Sequence, residues 1–145
     1  MSLETTYDPE NIFAKIIRGD MPCVKLWEDD EILAFMDVFP QSKGHCLVVP
    51  KSAQATNLFD IDRASLETMI VAVQRTARAL KDALAPDGVR IAQFNGAPAG
   101  QSVFHIHFHI IPAYEGAPLA RHGESGPANA EDLEPIAAAI RAKLS

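Results

Sequence analysis

Residues 104–112 read Phe104-His105-Ile106-His107-Phe108-His109-Ile110-Ile111-Pro112, and the conformation of this stretch decides the fold. Successive side chains of a β-strand point to opposite faces. A strand here puts His105, His107 and His109 on one face and Phe104, Ile106, Phe108 and Ile110 on the other. The first face is then wet and reactive, and the second is dry and anchors the strand. Three of the chain's five histidines stand in this one stretch. An ordinary exposed strand face draws Thr, Lys, Glu and Ser, so three alternating imidazoles demand a chemical reason.

Upstream of this strand, residues 95–102 (Asn95-Gly96-Ala97-Pro98-Ala99-Gly100-Gln101-Ser102) form a loop in which Gly96 and Gly100 let backbone N–H groups approach an anion. Val89 to Phe94 precedes it as a strand. Asp60 to Ala85 carries Leu66, Met69, Ile70, Val73, Ala77, Leu80 and Leu84 as an apolar stripe at helical spacing, and Pro86-Asp87-Gly88 stops this longest helix. Val24 to Glu28 and Ile32 to Asp37 make a hairpin across the acidic turn Asp29-Asp30-Glu31, and His45 to Val49 is a further strand ending at Pro50. Asn11 to Arg18 is a short amphipathic helix, with Asp8-Pro9 as its start signal and Gly19 as its stop. After Pro112 the run from Glu115 to Ala130 reads as a flexible surface loop holding a solvated His122, and a short helix from about Ala130 to Lys143 closes the chain. The pattern predicts an α+β architecture on a mostly antiparallel sheet, with the helices on one of its faces.

The whole chain sets bounds. Its 145 residues fit one domain with a real core, and 48% hydrophobic with 22% charged residues is ordinary globular composition. Thirteen basic against nineteen acidic residues give a net charge of −6, which opposes binding to nucleic acid, where affinity rests on neutralising many phosphates. A small phosphorylated ligand stays open. No apolar run approaches the roughly 20 residues of a transmembrane helix, and Met1 to Glu10 is polar, without a signal-peptide core. The reading is a cytoplasmic chain with no membrane partner. Cys23 and Cys46 form no C-x-x-C pair and read as reduced.

Two chemistries suit the histidines. Along an extended strand His105 and His109 lie about 13 Å apart, while zinc sits about 2.0–2.1 Å from each ligating nitrogen, so all three do not share one ion. Two of them with a ligand from a neighbouring strand could. The alternative is nucleophilic catalysis, in which an imidazole forms a covalent intermediate with an electrophilic phosphorus. His107, flanked by two rings able to orient it or deliver a proton, is the candidate nucleophile.

The stretch His105-Ile106-His107-Phe108-His109-Ile110-Ile111 resembles the signature of the histidine triad (HIT) superfamily, His-x-His-x-His followed by two apolar residues. The likeness extends to Ile12 through Pro22 as the opening helix, Ala34 through Pro40 as the ribose strand, Gly44 through Lys51 as the third strand, and Asn95 through Ser102 as the phosphate loop. It implies a HIT-like fold: an antiparallel five-stranded sheet with one long and one or two short helices. The HIT domain would span 11–112, after a flexible N-terminus at 1–10. Residues 113–145 would add a C-terminal loop and short helix packed on the same domain.

By this resemblance His107 attacks the α-phosphate of a nucleotide conjugate, giving a nucleotidyl-histidine that water hydrolyses. His105 sets the orientation and tautomer of His107, His109 hydrogen-bonds the phosphate and departing group, and His45 is the fourth, supporting histidine. Asp37 falls where the family binds ribose, and Ile12, Phe13, Ile16, Phe35 and Val38 where it encloses the base. Asn95, Gln101 and Ser102 fall where it holds phosphate and leaving group. Asp37 also suits a local turn, Ile12, Phe13 and Ile16 suit a core, and Lys43 and Lys51 suit plain surface.

Departures sharpen the branch. His109 stands where the nucleotidyltransferase branch carries Gln, which favours hydrolysis over transfer. Asn11, Ala14 and Ala53 stand where many bacterial relatives hold structural zinc through a Cys-x-x-Cys pair and a histidine, so neither a metal nor another cofactor is expected. The zinc finger of the DNA-deadenylating branch is missing, and the Trp-Pro-Pro-Gly ending of the nucleoside phosphoramidase branch does not follow Pro112. The implied activity is release of a purine nucleoside monophosphate from a phosphoramidate or related conjugate. A dinucleoside polyphosphate hydrolase and a nucleotide-binding regulatory protein are the alternatives. The implied partners are an AMP- or GMP-type nucleotide and a second copy of the chain, joined through the long helix and the strand near 89–94.

Overall fold

A computed structural model describes residues 3–121 and 126–145; His122 lies outside the described residues. Among them, five strands form one antiparallel sheet: β1 (Lys25–Glu28), β2 (Ile32–Met36), β3 (Cys46–Pro50), β4 (Gly88–Ala92) and β5 (Phe108–Ala113), in the order β1-β2-β3-β5-β4. Three α-helices accompany them: α1 (Ile12–Ile17), α2 (Arg63–Leu84) and α3 (Ala130–Arg141). This is the α+β, HIT-like architecture expected.

Local chemistry sets the helix ends. The start signal of α1 is Asn11 rather than Asp8-Pro9: the Asn11 side chain accepts from the N–H of Ala14 at 2.9 Å. Asp62 caps α2 in the same way through Ser65. Helix α2 ends on Ala85 in a left-handed conformation, and Pro86 cannot continue it. Its buried stripe of Met69, Ala72, Val73, Thr76, Ala79 and Leu80 packs on the sheet. Leu133, Ala137 and Ile140 of α3 join the same core.

The helices do not share one face. Helices α2 and α3 cover one side, with Ala34, Met36, Val48, Ile106 and Ile110. Phe13 of α1 packs on the other, against Leu33, Phe35, Leu47 and Val49. Every residue of β2 and β3 is consequently buried. Continuous apolar strands are the pattern of a sheet covered on both faces, and these two runs carry that pattern.

The triple-histidine stretch is also not one strand. Strand β5 begins at Phe108, so His109 alone of the three lies in it. Before that point the chain leaves the ladder: the Ile106 N–H bonds the Ala55 carbonyl at 2.9 Å, and His105 bonds the Pro50 carbonyl through its ring. The Ala55 carbonyl thus takes the Ile106 N–H that a neighbouring strand would otherwise take. The expected sidedness survives, because Ile106, Phe108 and Ile110 all face the α2 core. The other side is not wet: His105, His107 and His109 are 1%, 7% and 6% exposed.

Candidate active site

A cavity of about 180 Å³ opens on the α1 side of the sheet. Ile12, Phe13 and Ile16 come from α1, Phe35 and Leu47 from β2 and β3, and Asp37 and Val38 from the turn after β2. His107, His109, Ser102 and Val103 close its far end. An apolar chamber with a few convergent polar groups is the usual form of a small-ligand site. Ile12 and Val38, at 39% and 40% exposed, form its rim rather than core.

Hydrogen bonds order the protons on the rings. The Nδ1 of His107 lies 2.7 Å from the carbonyl oxygen of His105. A carbonyl only accepts, so His107 carries a hydrogen on Nδ1, and in the neutral ring Nε2 is the nitrogen with the lone pair. Phe13 stacks edge-on against this ring, centroids 4.8 Å apart at 88°, which fixes its plane. The Nε2 of His105 lies 2.9 Å from the Pro50 carbonyl, so there the hydrogen is on Nε2. Burial holds the His105 imidazolium pKa below its ordinary value, against a smaller upward pull from that carbonyl.

A second chain of bonds runs through His45. The backbone N–H of Gln41 donates to His45 Nδ1 at 3.0 Å, which places the hydrogen of His45 on Nε2. That nitrogen faces His109 Nδ1 at 2.9 Å and Asp37 Oδ2 at 3.2 Å. His109 therefore offers a lone pair at Nδ1 and carries its own hydrogen on Nε2. Gly44 sets up this corner with φ +98°, and a Cβ there would collide with the Leu84 side chain.

Asp37, His45 and His109 are also the group, among the described residues, able to offer one ion three ligand atoms, all within 4.8 Å of one another. To bind a metal, His45 would have to release its Nε2 hydrogen while Gln41 still donates to Nδ1. The hydrogen bonds among these groups order their protons as a relay.

The remaining candidates separate. Asp37 lines the cavity, but its Oδ1 accepts from the Phe39 N–H at 2.8 Å, the turn role, while Oδ2 faces His45. Ser102 reaches the cavity; Asn95 and Gln101 are not among its lining residues. The Oδ1 of Asn95 accepts from the Leu58 N–H and from Gln93. The Gln101 amide accepts from the Gly96 N–H at 2.8 Å and donates to the carbonyls of Thr56 and Val103 at 2.6 and 3.1 Å. It is a strut holding the glycine loop. Lys51 pairs with Glu28 away from the cavity, and the Lys43 carbonyl serves Tyr114.

Sequence reasoning missed several contributors. Cys23, Pro22, Met36 and Phe39 also line the cavity, and burial raises the Cys23 thiol pKa. Phe94 lies beside His109 with centroids 5.3 Å apart, and Tyr7 touches His105. Pro22, Met36 and Phe39 lie within the matched stretches and Cys23 directly after one, whereas Phe94 and Tyr7 gave no signal.

Comparison with known proteins agrees with this fold. The HIT domain family model matches residues 18–116. The chain is 40% identical over 139 residues to "Protein hit" of Bacillus subtilis, covering 92% of this chain and 94% of the relative. It is 37% identical over 134 residues to adenosine 5'-monophosphoramidase hnt1 of Schizosaccharomyces pombe, covering 92% and 97%. A crystal structure of a Hit-like protein involved in cell-cycle regulation, from Bartonella henselae, superposes with a TM-score of 0.87 at 47% identity, covering 96% of this chain and 100% of that one. The chain belongs to the HIT domain family.

Proposed function

We propose that this protein is a nucleotide hydrolase that releases a purine nucleoside monophosphate from a phosphoramidate or related conjugate, with His107 as nucleophile. The observation that carries the reading is the 2.7 Å bond from His107 Nδ1 to the His105 carbonyl, on a ring that lines the apolar cavity. It commits the hydrogen to Nδ1 and leaves Nε2 basic. The base would lie among Ile12, Phe13, Ile16, Phe35 and Val38, with the ribose near Asp37 and the phosphate near Ser102.

In the first step the Nε2 lone pair bonds to the α-phosphorus and the P–N bond to the leaving group breaks. The departing nitrogen keeps that electron pair and takes a proton from solvent, guided by the Nε2–H of His109. Water then adds to phosphorus, the P–Nε2 bond breaks with its electron pair returning to Nε2, and the surplus proton of the attacking water is released to solvent, while the proton taken up in the first step leaves on the amine. Nδ1 keeps its hydrogen throughout, held by the carbonyl. The relative named as an adenosine 5'-monophosphoramidase supports this substrate class.

The test is rapid-quench intact-mass analysis with an adenosine phosphoramidate. A nucleotidyl adduct on the native chain, absent in His107→Ala, is the expected result. Turnover without an adduct, or unchanged turnover in His107→Ala, would overturn the assignment.

The reading includes a second copy of the chain. Strand β4 lies at the sheet edge and is largely exposed. Ile91 of that strand and Ile70 and Val71 of α2 are 43%, 48% and 64% exposed and border one shallow cavity. An apolar edge of this kind is normally covered, and an isologous contact through a two-fold axis covers it.

A further inference from the structure

Tyr7 precedes α1 and belongs to none of the matched motifs, yet its phenol oxygen lies 2.7 Å from His105 Nδ1, across 98 residues of chain. The two rings meet at 5.6 Å between centroids, tilted by 59°. On the far side of the imidazole, Nε2 is committed to the Pro50 carbonyl at 2.9 Å. Nδ1 is consequently an acceptor, and the Tyr7 hydroxyl must be the donor. The imidazole is thus held at both nitrogens, by a carbonyl at the end of β3 and by the phenol.

The segment around Tyr7 is seated at a second point. The Leu3 carbonyl accepts from the Asn57 side chain at 3.0 Å, and the Leu3 side chain lies over Gly96, where a Cβ would come within 3.1 Å of it. Residues 3–7 therefore bridge the glycine loop and the first histidine. The cations bordering the small cavity beside Tyr7 are already paired: Arg18 with Glu10 and Asp20, and Lys51 with Glu28. That cavity has no spare cation for an anion, and the Tyr7–His105 bond is its direct link to the active site.

We propose that Tyr7 is a positioning residue: its hydroxyl fixes His105, whose backbone carbonyl in turn holds the Nδ1 proton of His107 and so keeps Nε2 aimed into the cavity. The inference rests on the reading of His107 as nucleophile. Tyr7 acts two links away from the reacting atoms and contacts no substrate. Its effect falls on the rate of the chemical step and not on nucleotide binding.

Tyr7→Phe tests this, because it keeps the ring and removes only the donor. One neutral hydrogen bond of this kind is worth about 0.5–1.5 kcal/mol, roughly two- to tenfold in rate. The expected result is a fall in kcat of roughly two- to tenfold with KM unchanged, on an adenosine phosphoramidate. In ¹⁵N-labelled protein the His105 Nδ1 resonance should move toward the free lone-pair position, with the fold retained and only a small fall in melting temperature. An unchanged kcat, a loss confined to KM, or a kcat loss with the His105 resonances in place would overturn the proposal. The native adduct experiment separates the two readings. Native protein that forms no adduct sinks the nucleophile and Tyr7's catalytic role with it, whereas an adduct formed at the same rate in both proteins sinks Tyr7 alone.

Discussion

The Nε2 atom of His45 lies 2.9 Å from the Nδ1 atom of His109, with both rings buried between paired strands. The register Leu47↔His109 places β5 directly beside the start of β3, and His45 is the residue just before β3 begins. Its own Nδ1 is held by the Gln41 N–H. The proton on His109 is therefore determined by a backbone amide two rings away.

Removing His45 breaks this order. His45→Ala removes the buried acceptor of the Gln41 N–H and the ring that donates to His109 Nδ1. Leaving buried polar groups unsatisfied costs about 1–3 kcal/mol. The expected outcome is a melting temperature lowered accordingly and a fall in kcat of roughly 10²-fold, the low end for loss of correct proton placement. Steady-state kinetics and thermal unfolding measure both. Retained kcat would mean that His109 keeps its tautomer unaided.

Gln101 tests loop support against direct phosphate contact. Its amide makes three bonds within the protein, to Gly96, Thr56 and Val103. Gln101→Ala should destabilise the chain by about 1–3 kcal/mol and loosen the glycine loop, raising KM. Gln101→Glu puts a carboxylate oxygen against two carbonyls and should be worse in stability. If Gln101 instead met the phosphate, the alanine variant would lose binding with unchanged stability. Denaturant unfolding alongside nucleotide titration separates these outcomes.

The resemblance and the strand alternation foretold much of this arrangement. Ile106, Phe108 and Ile110 face the core as alternation requires, and the apolar stripe of α2 packs as its period predicts. Local pattern failed where distant partners decide. Whether His105 and His107 lie in a ladder depends on Ala55 and Pro50, and whether the histidine face is wet depends on the roof formed by Phe13. Periodicity shows that α1 has an apolar face without showing which side of the sheet receives it. The amide side chain of Gln101 suits a phosphate and a strut equally well on paper, and only its three bonds distinguish the roles. Tyr7 could not be found from sequence, because its contact spans 98 residues.

His105 makes stability depend on pH. Its folded-state pKa lies below the ordinary 6.5, chiefly because burial penalises the cation. Above pH 6.5 both folded and unfolded chains hold it neutral. As pH falls through 6.5 the unfolded chain takes up a proton that the native chain does not, so stability drops, and the loss continues until the folded pKa is passed. Melting temperature should therefore fall between pH 7.5 and 5.5, and an NMR titration should give His105 a midpoint below 6.5. A midpoint at or above 6.5 would contradict the burial argument.

The exposed edge makes a last prediction. Ile91 of β4 and Val71 of α2 border one apolar surface. In a two-fold contact each substituted residue occurs twice, so one charge per chain brings two like charges into the same interface. Ile91→Asp should therefore convert a dimer to a monomer while leaving the chain folded, since Ile91 is 43% exposed and belongs to neither buried core cluster. Size-exclusion chromatography with light scattering reads the mass, and far-UV circular dichroism checks the fold. Native protein that runs as a monomer, or an unchanged dimer mass in Ile91→Asp, would remove this face as the interface. The four histidines of the candidate site all come from one chain, so an Ile91→Asp monomer that keeps nucleotide binding would place the whole base pocket within a single protomer.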